Sequence, residues 1–305
     1  MTISPRIRAR EVDLVLLLVA LFWGASYLAA KSLTQHAPVI VVLSLRFILT
    51  AIGMTVIWII KRPQFSRNEA LLGLALGSVQ ALIIYCETAG VSRTTATNAG
   101  LIISLAIVMT PLMESFASKN WLPPKFFAAT IVAVVGVLLL VSNKGFSAPN
   151  LGDWLMLAAA TVRALHVTSM GHFTKGKTYS SVNITLLQSI ACALIFTAIS
   201  GSRTFSSARH LPNHQWLGLL FLSGLCGVFA FLATLWAIRQ TSSSRASLLL
   251  GTEPVWAVVV GTVLGGESLT LIGIIGALLI ISATGYGQKI ESGHRTDQAL
   301  HSFEP

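Results

Sequence analysis

Charge is scarce in this sequence. Asp, Glu, Lys and Arg make up 10% of the 305 residues, against about 25% in an ordinary soluble domain, which excludes a typical cytosolic enzyme. Aspartate is confined to Asp13, Asp153 and Asp297, so no Asp-rich motif exists for metal-dependent diphosphate chemistry. Cys86, Cys192 and Cys226 are odd in number, far apart and each set in an apolar run. That excludes a secreted disulfide scaffold and predicts free, buried thiols. Gly171 to Thr178 spells a Gly-x4-Gly-Lys-Thr string, but it follows a long apolar run and no strand precedes it, which is not the setting of a phosphate-binding loop, so ATP is not expected as a direct energy source. A Gly-x-Ser-x-Gly nucleophile turn is missing. What is plentiful is apolar: 54% of residues are hydrophobic and the mean hydropathy is +0.75. The net charge of +10 could suggest nucleic acid, but so apolar a chain has few faces left for a basic groove.

A helix needs roughly 20 mainly apolar residues to cross a bilayer core of about 30 Å. Ten such runs can be read, near 13–31, 38–60, 70–91, 95–117, 124–142, 152–172, 182–200, 214–238, 245–264 and 270–288. None alternates with period two, so a barrel is excluded and an all-α polytopic membrane protein is expected. Retained Lys and Arg mark cytoplasmic loops. With the N-terminus inside, fourteen of the 21 basic residues fall on that side and five (Lys31, Arg93, Lys144, Arg203 and Arg209) on the other. Arg46 and Arg163 remain within spans. Both termini are therefore expected to be cytoplasmic, in a multi-pass cell (inner) membrane protein. The Arg-rich start resembles a signal peptide, but Trp23, Tyr27 and Lys31 occupy the region where a cleavage site would want small residues. The polar tail, 289–305, is expected to be disordered.

The chain reads as two halves, 11–145 and 150–288. Asp13 and Asp153 are each expected to open the first helix of a half, where a carboxylate meets the positive end of the helix dipole. Thr110-Pro111 in the fourth run matches Glu253-Pro254 in the ninth, and each is followed by a Gly-containing apolar helix (134–142 and 274–283). Five spans is an odd number, so the second copy enters the membrane from the opposite side. Such inverted repeats are a transporter signature.

Phe22-Trp23-Gly24-Ala25-Ser26-Tyr27, Leu45-Arg46-Phe47, and the long run from Ser244 through Glu253-Pro254 to Gly265-Gly266-Glu267-Ser268-Leu269 resemble the ten-helix, EamA-type members of the drug/metabolite transporter superfamily. The resemblance spans both halves. It departs from the family pattern at Ser118 to Pro123, where the first half lacks the Gly-Glu-Arg-Leu element, and at Arg163, which replaces the usual Trp of helix six. The resemblance implies a carrier, often an exporter, of amino acids, metabolites or amphipathic toxic compounds, with its pathway between the repeats. An intramembrane enzyme on lipid or prenyl substrates, or a channel or structural subunit, is the alternative. No cofactor or metal is expected.

Ionisable groups within a bilayer cost at least about 2.5 kcal/mol each and need a partner or a wet cavity. Helical rise puts Arg46 about 12 Å and Glu87 about 6 Å from the same membrane face, so these two can pair, as an outer gate or with Arg46 as an anion-binding group, or else as a structural clamp between adjacent helices. Arg163 falls about 15 Å deep, near the midplane, with His166 on the same helical face. Arg163 either binds a carboxylate or phosphate of the solute or pairs permanently with a Glu. Glu253 can bind a cation, exchange a proton or neutralise Arg163, while Glu114 is expected to be hydrated at a span end. Pro111 and Pro254 would break their helices and free carbonyls toward a cavity, or merely kink them. Trp23, Tyr27, Gln80, Tyr85, Asn98, Gln188 and Trp236 are further pathway candidates. Trp58, Trp121, Trp154 and Trp216 are read as interface anchors. Gly273, Gly276 and Ala277 suit close helix packing, within one chain or between protomers. The expected partners are a small-molecule solute and lipid; a monomer suffices and a homodimer is compatible.

Overall fold

The computed structural model describes residues 5–93, 102–103, 105–119, 121–141, 150–265 and 271–301. These are helical, with no strand among them. The first half holds α1 (Pro5–His36), α2 (Val39–Lys61), α3 (Arg67–Val91), α4 (Ala106–Ser118) and α5 (Pro124–Val141). The second holds α6 (Leu151–Thr174), α7 (Ser181–Ser200), a short α8 (Arg203–His210), α9 (Asn213–Ser223), α10 (Ala230–Gln240), α11 (Ser243–Leu250), α12 (Glu253–Gly265) and α13 (Leu271–His301). A π-helical turn, Gly224–Phe229, joins α9 to α10 in one continuous rod. Among the described residues six helical stretches are long and apolar enough to cross a membrane: 10–36, 39–61, 67–91, 181–200, 213–240 and 271–291. The stretch 124–136 is apolar but shorter. Although α6 has the length, it carries Asp153, Arg163 and His166, which lower its hydropathy.

Helix ends follow local chemistry. Ser66 and Glu69 form a capping box at α3, and Asn150 with Asp153 forms the same device at α6, each satisfying backbone N–H groups that a helix start leaves over. Asp13 behaves otherwise. Helix α1 is already formed at Pro5, so Asp13 lies two turns inside it and its carboxylate is held by Arg245. Nor does the tail begin at 289, because α13 continues to His301 with Glu291 buried against Ser242 and Arg245. That anchoring makes further helix more favourable than a solvated coil.

The burial pattern is inverted relative to a soluble protein. Ile52, Ile60, Leu71, Ile199, Leu217 and Leu271 face outward, while Ser44, Arg46, Gln80, Glu87, His166, Gln188 and Glu253 are buried. Lipid makes this arrangement favourable, since apolar side chains are at home outside and polar ones must turn inward. Cys86, Cys192 and Cys226 are buried and free, as expected.

The principal helix contacts survive exchange of the two halves. Helix α2 packs on α7, α5 on α13, and α4 on α11; α3 on α6 corresponds to α1 on α9 and α10, and α1 on α12 to α4 on α6. Hydrogen bonds show the relative direction. At one end of the bundle the beginning of α1 (Asp13) meets the beginning of α11 (Arg245) and the late part of α13 (Glu291). The end of α4 (Glu114) caps the start of α11, the end of α2 (Trp58) meets the start of α7 (Asn183), and the end of α6 leads by Lys175 to the end of α10 (Thr241). Thus α1 starts where its counterpart α6 ends, and α2 ends where α7 starts. The second half runs antiparallel to the first, element by element.

At two glycines a helix comes close to the backbone of another. A Cβ on Gly24 would lie 2.7 Å from the Glu253 carbonyl oxygen, so a side chain there would push α1 away from α12. A Cβ on Gly136 would lie 2.8 Å from the Gly276 carbonyl oxygen, which places Gly276 in a contact within the chain.

Candidate functional site

Between the halves lies a cavity of about 80 Å³, room for about five waters. The first half contributes Trp23, Ser26 and Tyr27 from α1, Arg46 from α2, Gln80 and Glu87 from α3, and Thr110 from α4. The second contributes Arg163 and His166 from α6, Gln188 from α7, Phe231 and Thr234 from α10, Ser247 and Leu250 from α11, and Glu253 and Pro254 from α12.

Arg163 is the centre of its polar wall. One terminal nitrogen, Nη2, lies 2.6 Å from Glu87 Oε1, and the other, Nη1, donates to Glu253 Oε2 at 3.1 Å. The Tyr27 hydroxyl donates to the other Glu253 oxygen at 2.5 Å. Trp23 lies face-on to the guanidinium, 5.2 Å from ring centroid to Cζ, and the weakly hydrated cation suits such a surface. The indole N–H of Trp23 donates to the Cys226 carbonyl at 3.1 Å. That carbonyl belongs to the π-helical turn, whose altered register leaves acceptors off the usual ladder. Thr50 uses another acceptor at the same place, the Ser223 carbonyl. The tie runs through α3, α6, α12 and α1, and so through both halves.

Arg46 does not pair with Glu87. The carboxylate turns instead to Arg163, which reaches it from across the cavity. Among the described residues the Arg46 guanidinium has no ion pair or hydrogen bond; its Nε is buried without a partner and its Cζ lies 5.6 Å from the Phe47 ring centroid. The residue as a whole is only 6% exposed. His166 is 3% exposed, and its Nε2 is likewise buried without a hydrogen-bond partner.

Of the other candidates, Gln80 and Gln188 line the cavity with Trp23 and Tyr27. Tyr85 does not; it is 41% exposed on the outside of α3, two residues and hence about 200° around the helix from Glu87. Trp236 stands in the same relation to Thr234 and packs against the apolar cluster around Val12 and Leu16. Asn98 lies outside the described residues. Pro111 sits within an unbroken α4 and is not a break there. The break in the second half is at Gly251 and Thr252, and Pro254 occupies the first turn of α12, where its missing N–H costs nothing. Glu114 is not simply hydrated: it accepts from the Ser243 and Ser244 backbone N–H groups, at 3.2 and 2.6 Å, and from the Ser244 hydroxyl. Ser26, Thr110, Thr234 and Ser247 also line the cavity and are not among the pathway residues expected from sequence. Their signal, a small hydroxyl inside an apolar run, is shared by many residues that merely bond their own helix, as Thr55 does to Ala51.

The end of the bundle that carries the N-terminus is closed by charge. Arg245 grips both Asp13 oxygens, at 3.0 and 2.7 Å, and stands 3.6 Å from Glu291. Toward the other end, Gln215 donates to Ser32 at 2.9 Å and Ser44 meets Thr197 at 2.8 Å.

The model of the EamA-like transporter family matches residues 11–142 and again residues 150–285. The chain is similar to an uncharacterized transporter of Archaeoglobus fulgidus, with 26% identity over 89% of this chain and 83% of that protein. It is also similar to a protein of Escherichia coli K12 named as a probable amino-acid metabolite efflux pump, with 25% identity over 90% of this chain and 93% of the other. A solved crystal structure shares the fold, with a TM-score of 0.73 at 16% identity over 93% of this chain and 98% of that one. The protein is a multi-pass membrane transporter, and the repeated match says of which kind: the chain belongs to the EamA-like transporter family.

Proposed function

We propose that this transporter is a secondary carrier that exports small organic solutes, such as amino acids, metabolites or amphipathic toxic compounds. It would work by alternating access through the cavity between its halves. The observation that carries the reading is that cavity: buried, charged and lined from both halves, inside a bundle whose outer surface is apolar. In this reading ten helices cross the membrane as two inverted repeats, with both termini in the cytoplasm. The basic loops support that orientation. The Arg245, Asp13 and Glu291 cluster then seals the cytoplasmic end. The space of about 80 Å³ is well below the roughly 300–1,000 Å³ of a ligand pocket, which suits a closed conformer whose halves must part to admit solute. Two bundles related by exchange can rock about such a site, closing one end as the other opens. The name of the Escherichia coli relative, probable amino-acid metabolite efflux pump, agrees with solutes that combine charge and an apolar body.

The test is counterflow. Purified protein in liposomes loaded with a panel of unlabelled amino acids and amphipathic metabolites should accumulate the matching labelled solute transiently and saturably, with and without a pH gradient. Uptake that rises linearly with concentration and ignores the internal load would overturn the carrier reading.

A further inference from the structure

Arg163 is usually the residue one would assign to an anionic solute, yet its two terminal nitrogens are each committed to a carboxylate. The cavity also holds a second cation, one that no described residue meets in an ion pair or hydrogen bond. Arg46 lines the cavity, is more than nine-tenths buried, and makes no ion pair or hydrogen bond through its guanidinium. A buried guanidinium with no contacting partner is costly, and in a membrane protein such a group points to a functional site. With Arg46 the four formal charges of the cavity, two carboxylates and two guanidinium groups, sum to zero; what sets Arg46 apart is contact, because both carboxylates are bonded to Arg163 and the Arg46 N–H groups are left for a ligand that accepts hydrogen bonds. Neutral polar groups, Gln80, Gln188, His166 and Thr234, share the same space with Ile83, Ile84 and Phe231. Glu87 and Glu253, the two carboxylates that line the cavity, are both turned to Arg163.

We propose that Arg46 is the anion-binding post of this carrier: the solute presents one carboxylate to its guanidinium and lays an apolar body against Ile83, Ile84 and Phe231. The proposal rests on the reading of the cavity as the transport site and narrows the solute to organic monocarboxylates, zwitterionic amino acids among them. The Arg163 assembly then acts as a fixed tie between the halves, and the solute need not displace either glutamate to be recognised.

The test uses three probes of one shape that differ only in charge: 3-phenylpropionate, 3-phenylpropionamide and 3-phenylpropylamine. Binding to the purified full-length protein in detergent is measured by calorimetry and by quenching of tryptophan fluorescence. The carboxylate should bind at least about tenfold more tightly than the amide, as a charge-assisted hydrogen bond warrants, and the amine should bind most weakly. Arg46→Gln should bring carboxylate and amide within about twofold of each other. Arg46→Lys should keep the order with reduced selectivity, since Lys offers charge without the planar fork. The wild-type ranking needs no variant, so misfolding of Arg46→Gln would leave it standing as a test. Equal binding of the three probes, preference for the amine, failure of the carboxylate to bind, or unchanged selectivity in a folded Arg46→Gln protein would each overturn the proposal. Counterflow by wild-type protein, measured separately, distinguishes the outcomes: saturable exchange with no carboxylate preference removes the Arg46 site and leaves the carrier reading intact.

Discussion

One guanidinium between two glutamates is a demanding arrangement. Arg163, Glu87 and Glu253 come from three helices, and removing the arginine leaves two buried carboxylates without their shared partner, for which breaking a buried pair costs about 3–5 kcal/mol. Arg163→Gln is therefore expected to lower the thermal unfolding midpoint of the purified protein sharply. The triple change Arg163→Met, Glu87→Gln, Glu253→Gln should recover most of that loss, because it removes the stranded charges together. Recovery of stability without recovery of counterflow would assign the tie a part in transport, while full recovery of both would make it a mere fastener. Depth along a helix was legible in sequence: Arg163, His166 and Glu253 reach one cavity because rise per residue fixes their level. Partner choice was not. The Arg46 and Glu87 pairing was drawn from depth alone, and depth carries no information about azimuth, which turns Glu87 toward α6. The same blindness admitted Tyr85 and Trp236, each at a fitting level and on the wrong face.

At the scale of elements, contact distance is set by what the side chains lack. Helix α1 meets α12 across Gly24, where an added methyl would press on backbone atoms of Glu253 and Ala257 rather than on a movable side chain. Gly24→Ala should destabilise the protein by about 1–3 kcal/mol, the usual cost of overpacking, and should weaken counterflow by shifting Glu253 relative to Tyr27. Gly285→Ala is the matched control. It has open space around it, so the change should be neutral or stabilising by up to about 1 kcal/mol through helix propensity. Thermal unfolding of the two variants beside wild type checks both; equal effects would mean that close approach of α1 and α12 is not what Gly24 provides. The helices themselves were readable from runs of apolar residues, and the match of Thr110-Pro111 with Glu253-Pro254 did locate corresponding elements. Proline chemistry was misjudged within them. Whether a proline breaks a helix depends on where the helix starts, and α12 starts one residue before Pro254 while α4 has already run five residues before Pro111.

For the whole molecule the decisive property is direction. In the proposed alternating access, antiparallel halves would tie the two ends of the bundle to each other, so that opening one by rocking would close the other, and the ends differ in how they are held. One end is shut by the Arg245 grip on Asp13, a pair contributed by both halves, and the opposite end by neutral hydrogen bonds among Ser32, Gln215, Ser44 and Thr197. If the basic loops set orientation as they do in other membrane proteins, the charged end faces the cytoplasm. Single cysteines placed at Lys61 and Lys289 should then react with a membrane-impermeant maleimide only in inside-out vesicles, and cysteines at Arg93 and Arg203 only in right-side-out cells. The experiment has a clean background, since Cys86, Cys192 and Cys226 are all buried. Labelling of Arg93 and Lys289 positions from the same side would break the five-plus-five inversion. Such a result would leave the cavity in place and remove the symmetry by which it could open to each side in turn.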